Sequence, residues 1–110
     1  MAEEFGKEDK EDKKDDEKRY LDWVARHPDG FVANMDRKGN FPQYPMVHAA
    51  THGLISSSKI GNFTTGDYFK ICSDSLEDLE AYARTHYGRK LTFCRARHCV
   101  RKFVQTGASP

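Results

Sequence analysis

Apolar positions first recur at helical spacing from residue 15 or 16 onward, where Tyr20, Leu21, Trp23, Val24 and His27 form one stripe behind an acidic start. The pattern predicts a helix that stops at Pro28-Asp29-Gly30. Proline disfavours helical geometry in the residue before it, and glycine accepts turn dihedrals. Phe31 to Met35 alternates instead, which sets Phe31, Ala33 and Met35 on one face of a strand. Past the turn-forming Asp36-Arg37-Lys38-Gly39-Asn40, a second strand is expected from Tyr44 to Ala49. Pro42 and Pro45 make it irregular at its start or place it at a sheet edge. Residues 53–66 (GLISSSKIGNFTTG) make the longest predicted loop, a length that usually signals a functional or mobile segment.

Asp67 to Cys72 is the clearest strand. Ser73-Asp74-Ser75 then offers capping side chains, and Leu76, Leu79 and Ala83 continue as one buried stripe up to Gly88, a natural C-cap. Lys90 to Phe93 reads as a short last strand. Arg95 to Val104 reads as a basic helix with Cys99, Val100, Phe103 and Val104 turned inward. This order predicts an α+β domain with a small three- to four-stranded antiparallel or mixed sheet packed with two to three helices. Residues 1–14 are almost wholly Glu, Asp and Lys, and are expected to form a charged disordered arm. The single domain then spans 15–106, with a flexible tail at 107–110.

Size and composition narrow the classes. At 110 residues the chain suits one domain. No apolar run approaches the roughly 20 residues that span a bilayer, and the first residues lack the basic start and apolar stretch of a secretory signal. Three cysteines make an odd, sparse set that fits a reducing compartment better than a disulfide framework. The expected location is the cytoplasm, with no membrane partner. The net charge of +1 conceals an asymmetry, because residues 1–19 hold nine acids and six bases. Between Arg84 and Lys102 there are seven Lys or Arg and no acid.

Candidate metal ligands fall in two groups, His48-x3-His52 and Cys94-x3-His98-Cys99. Four N or S donors would complete a tetrahedral structural zinc site, the one cofactor the sequence suggests. In a straight strand His48 and His52 would sit about 13 Å apart, so they converge only if the chain bends at Ala49-Ala50-Thr51. On a helix Cys94 pairs with His98, while Cys99 points about 140° away into the core. A loop at the same place would admit Cys99 instead. Ordinary half-buried histidines and small core cysteines would leave the same residues in the sequence.

The stretches GFVANM, YPMVHAATHGLI, GDYFKICSDSLEDLEAYA and TFCRARHC together resemble small bacterial domains of unassigned function. Those domains carry an HxxxC element, a KvC strand, a helix and a terminal CxxC. The layout is also similar, more distantly, to the zinc module of Ada-type DNA-repair proteins. The resemblance covers residues 29–99, with His52 standing where the pattern has Cys and Cys94-x4-Cys99 replacing CxxC. It implies a compact module associated with DNA.

Arg84, Arg89, Lys90, Arg95, Arg97, Arg101 and Lys102 are the candidate nucleic-acid contacts, interleaved with Tyr82, Tyr87 and Phe93. Cations neutralise phosphates and release counterions, and aromatics stack on bases. A solvated face, or one docked on the chain's own acidic arm, would carry the same charge. No acidic pair, HExxH or GxSxG occurs. A metal-dependent nuclease or hydrolase would have to use His48 or His52 as base beside Asn62 or Asp67. A cysteine enzyme would have to use Cys94 with His98, and Gly61 and Gly66 match no phosphate-loop spacing. A protein-interaction module would offer Tyr44 to Ala49 as an open strand edge. The sequence therefore points to a non-catalytic binding module with DNA or RNA as partner, a protein partner and a hydrolase being the alternatives.

Overall fold

The computed structural model describes residues 2–6, 13–39, 43–56, 63–64 and 68–105. Its elements are β1 (Glu3–Phe5), α1 (Lys13–Arg26), β2 (Phe31–Asp36), β3 (Met46–Ala49), α2 (Gly53–Ser56), β4 (Tyr68–Ser73), α3 (Leu76–Tyr87), β5 (Thr92–Phe93) and α4 (Arg97–Gln105). The architecture is α+β, as expected, but the sheet has five strands rather than three or four, in the order β1-β4-β2-β3-β5. All pairs are antiparallel except β3 with β5. Among the described residues no helix is long and apolar enough to cross a membrane.

The extra strand comes from the segment expected to be a disordered arm. Glu3, Glu4 and Phe5 pair with Cys72, Ile71 and Lys70, and residues 13 and 14 already belong to α1. The cause is Phe5, the one large apolar side chain in that arm. It is buried edge-on to Tyr20, at 6.1 Å between ring centroids, and this burial offsets the entropy of ordering the strand. Gly6 turns the chain at once with φ 83°, so close to Thr64 that a Cβ would lie 2.5 Å from the Thr64 Cβ. Residues 7–12, the expected tail at 107–110, Gly61, Asn62 and Gly66 of the long loop, and Asp67 at the start of the expected strand lie outside the described residues.

Strand alternation sorts the core into two layers. Phe31, Ala33 and Met35 share one face with Val47, Ala49, Phe69 and Ile71, and there they meet Leu79 of α3 and Cys99 and Phe103 of α4. Val32 and Cys72 point the other way, into Tyr20, Trp23 and Val24 of α1 with Phe5, Ile55 and Phe63. A sheet covered on both faces has no wet side, so its polar residues need partners. Lys70 is the clearest case. Its ammonium donates to Asn34 Oδ1 on the paired strand at 2.6 Å and to the Phe63 carbonyl at 2.8 Å. Glu17 accepts from Phe63 N (2.9 Å), Thr64 N (2.7 Å) and Thr64 Oγ1 (2.8 Å). Arg37 donates to the carbonyls of Gly6, Thr64 and Tyr68 at 2.6, 3.1 and 3.1 Å. Three charged side chains thus pin Phe63 and Thr64, near the end of what reads as the longest loop.

Burial lowers the Lys70 pKa to about 8, with Cys72 and Glu17 opposing the shift and Arg37 adding to it. A lowered folded pKa means the folded chain releases this proton before the unfolded chain does. Between pH 8 and the ordinary lysine value of 10.5 stability therefore rises with pH. Measured by urea unfolding against Lys70→Met, the wild type should gain roughly 3 kcal/mol over that window. Parallel pH profiles would contradict this.

The helix ends follow the sequence. Ser75 Oγ caps α3 by accepting from Asp78 N at 3.3 Å, and Gly88 ends the helix at φ 62°. On α4, Cys99 and Phe103 are buried as expected, but Val104 is 63% exposed. It lies about 140° around the helix from Cys99, outside the inward stripe. β3 is also not an edge, since it runs between β2 and β5. The surface imagined for an added partner strand is occupied by Thr92 and Phe93.

Candidate metal centre

β3 delivers His48 into the sheet's second layer, where its imidazole is buried. The chain leaves β3 through a turn over Ala50 and Thr51, closed by His52 N donating to the Ala49 carbonyl at 3.0 Å. That turn supplies the required bend. It folds His52 back so that the two Nδ1 atoms stand 3.3 Å apart. From the other side, β5 runs parallel to β3, with Cys94 N donating to the Val47 carbonyl at 2.8 Å. Cys94 sits at the strand's end, two residues link it to α4, and Cys99 lies in the first turn of that helix.

The ligand atoms of His48, His52, Cys94 and Cys99 all lie within 4.8 Å of one another. His52 Nδ1 is 3.8 Å from Cys94 Sγ and 3.3 Å from Cys99 Sγ. These four residues are close enough to hold a metal ion. Each sulfur also takes a backbone N–H, from Ala96 to Cys94 at 3.4 Å and from Ala49 to Cys99 at 3.3 Å. Such donors stabilise thiolate and orient it, as outer partners do in metal sites.

The electrostatics suit a cation. Burial pushes the His48 pKa down to about 4, helped by His52 and Lys70, so its ring is neutral. Burial also lowers the His52 value, and His98 adds to that. Cys99 is driven the opposite way, up to about 12, by burial against the opposing Ala49 N–H and with Cys94 adding to the rise. Two imidazoles and two cysteine sulfurs this close together form a donor set that a divalent cation would complete.

His98 is not part of the cluster. Its ring is exposed and its Nε2 meets Thr51 Oγ1 at 2.5 Å. The helical pairing of Cys94 with His98 fails because α4 begins at Arg97, leaving Cys94 outside the helix where the one-turn rule has no hold. Cys99 is both a core residue and a donor, two roles the sequence presents as alternatives.

The basic segment divides in use. Arg84 pairs with Glu80 at 2.6 Å, and Lys102 pairs with Asp29 at 2.7 Å. Arg89 donates to the carbonyls of Tyr44 (3.2 Å) and Gly39, and so ties two turns together. Lys90, Arg95, Arg97 and Arg101 are exposed, and among the described residues no carboxylate pairs with them.

No family model, curated protein or solved structure matches this chain. The functional reading therefore rests on the geometry of the cluster and its surroundings.

Proposed function

We propose that the protein is a small non-catalytic binding module, held together by one structural zinc ion, whose basic C-terminal segment engages nucleic acid. The observation that carries this reading is the convergence of four N and S donors from two segments 42 residues apart. Tetrahedral zinc, with bonds of about 2.0–2.1 Å to nitrogen and about 2.3 Å to sulfur, separates two nitrogens by about 3.3 Å and a nitrogen and a sulfur by about 3.6 Å. The corresponding distances here are 3.3 Å, and 3.3 and 3.8 Å. Thiolate with imidazole selects zinc over magnesium or calcium, which prefer oxygen.

Zinc that chemistry uses keeps a position open for water, whereas zinc that only braces a fold is closed by four protein ligands. Four side chains are available here, three of them buried, which favours the bracing role. Three of these residues, His48, His52 and Cys94, are those a hydrolase or a cysteine enzyme would have needed as base or nucleophile. The ion would tie β3 and its turn to the start of α4. The exposed charge on Arg95, Arg97 and Arg101 points toward nucleic acid, in keeping with the distant resemblance of the sequence to Ada-type zinc modules.

Elemental analysis of protein purified without a metal-binding tag tests the reading. One zinc per chain is expected, displaced by a thiol-specific reagent such as a mercurial. Protein free of metal, and unable to take up zinc after reduction, would overturn it.

A further inference from the structure

We propose that the metal gates nucleic-acid binding, because its two cysteine ligands bracket Arg95 and Arg97 and anchor the start of the helix that carries Arg101. This rests on the zinc reading above and adds regulation to it. Of the seven basic candidates, Arg84 and Lys102 are paired with carboxylates and Arg89 is spent on backbone carbonyls, while Lys90 is exposed but lies outside the 94–105 segment. Arg95 and Arg97 lie between Cys94 and Cys99, and Arg101 follows Arg97 one turn along α4. All three are exposed, and no described carboxylate pairs with them.

The local backbone adds to the same charge. The first turn of α4 holds no acid. Ala96 closes that turn through its carbonyl, which accepts from Val100 N at 2.9 Å, but it has no side chain to cap the leading N–H groups. The positive end of the helix thus lies within the arginine segment, where a phosphodiester would be met by guanidinium groups and backbone dipole together. A nucleic-acid strand presents such groups in series, matching a row of spaced arginines better than an isolated anion would.

The placement of this segment depends on its anchors. Cys94 and Cys99 fix both ends of the four residues between them, and the ion would clamp those ends to His48 and His52 on the β3 turn. Without the cation Cys94 keeps its N–H on the Val47 carbonyl and Cys99 keeps the Ala49 N–H on its sulfur, but nothing then bonds the four side chains to one centre. The arginines would then have to be ordered at the moment of binding, and affinity would fall by that entropy.

The test uses full-length zinc-loaded protein and labelled DNA and RNA oligonucleotides, titrated by fluorescence anisotropy across ionic strength. The zinc form should bind with a slope of log affinity against log salt of about −2 to −3, the signature of three phosphate contacts. Chelation should weaken binding about tenfold or more, and re-addition of zinc should restore it. Arg97→Glu with Arg101→Glu should lose a similar factor while zinc content and melting temperature stay put, whereas Arg84→Glu should change affinity little. Should chelation unfold the chain, the arginine variant in its zinc form decides the matter, and unchanged affinity there overturns the inference. Equal binding by the zinc and metal-free forms overturns the gating while leaving the structural zinc intact. Zinc-loaded protein that binds no oligonucleotide at low salt, or prefers a stoichiometric protein partner, overturns it as well. Protein that never holds zinc removes the reading beneath it.

Discussion

Cys99→Ala should leave the purified protein without zinc and lower its melting temperature far more than Cys72→Ala does. Both thiols are fully buried and both sit among apolar side chains, so the packing lost is comparable. Only Cys99 belongs to the donor cluster. An ion that binds the folded chain alone adds about 4 kcal/mol of stability when free metal stands a thousandfold above its dissociation constant. For a domain of this size that corresponds to a shift on the order of 15–30 °C. Differential scanning fluorimetry with and without chelator reads it directly. Chelator should bring the wild type down close to Cys99→Ala and leave that variant unmoved. Equal losses in the two alanine variants, with zinc retained in both, would contradict a bracing role.

Phe103→Ala should cost about 3–5 kcal/mol, the range for deleting a fully buried aromatic ring. Phe103 lies against Phe31 of β2, with ring centroids 6.0 Å apart, and edge-on to Phe93 of β5 at 5.0 Å. It thereby fastens α4 to the sheet one turn beyond Cys99. Loosening the helix moves a ligand, so zinc affinity should fall along with stability, although no donor has been touched. Val104→Ala provides the comparison on the same helix. Its side chain is 63% exposed, and such changes usually stay within about 0.5 kcal/mol. Urea unfolding gives the first quantity, and competition with a chromophoric chelator gives the second. A Phe103→Ala protein with unaltered zinc affinity would show that α4 is not what holds Cys99 in place.

Much of this fold is legible in the sequence because local rules and tertiary structure agree there. Phe31, Ala33 and Met35 alternate, and the structure buries them on one face. Ser75 and Gly88 carry the chemistry of helix ends and are found at them. The departures arise where a long-range contact outweighs local composition. Nothing within residues 1–14 predicts a strand, because the groups that order Phe5, namely Tyr20 of α1 and the free edge of β4, are remote in sequence. Similarly, β3 loses its edge only because β5, more than 40 residues later, pairs beside it in parallel. Glu17, Arg37 and Lys70 read as ordinary surface charges, yet they meet at Phe63 and Thr64.

At the site, the bend at Ala49-Ala50-Thr51 and the residue types of the donors were within reach of sequence reasoning. The choice between His98 and Cys99 was not, because it hangs on whether α4 starts before or after Cys94. An uncapped start at Ala96 leaves little local signal for that. The seven basic residues look equivalent in the sequence, and only the structure separates those bound to Glu80, Asp29 or backbone carbonyls from Lys90, Arg95, Arg97 and Arg101.

X-ray absorption at the zinc edge of the purified protein tests the central claim most directly. The account predicts a four-coordinate shell of two sulfurs at about 2.3 Å and two imidazole nitrogens at about 2.0–2.1 Å. A shell dominated by oxygen, a coordination number above four, or a sample with no zinc to absorb would contradict it.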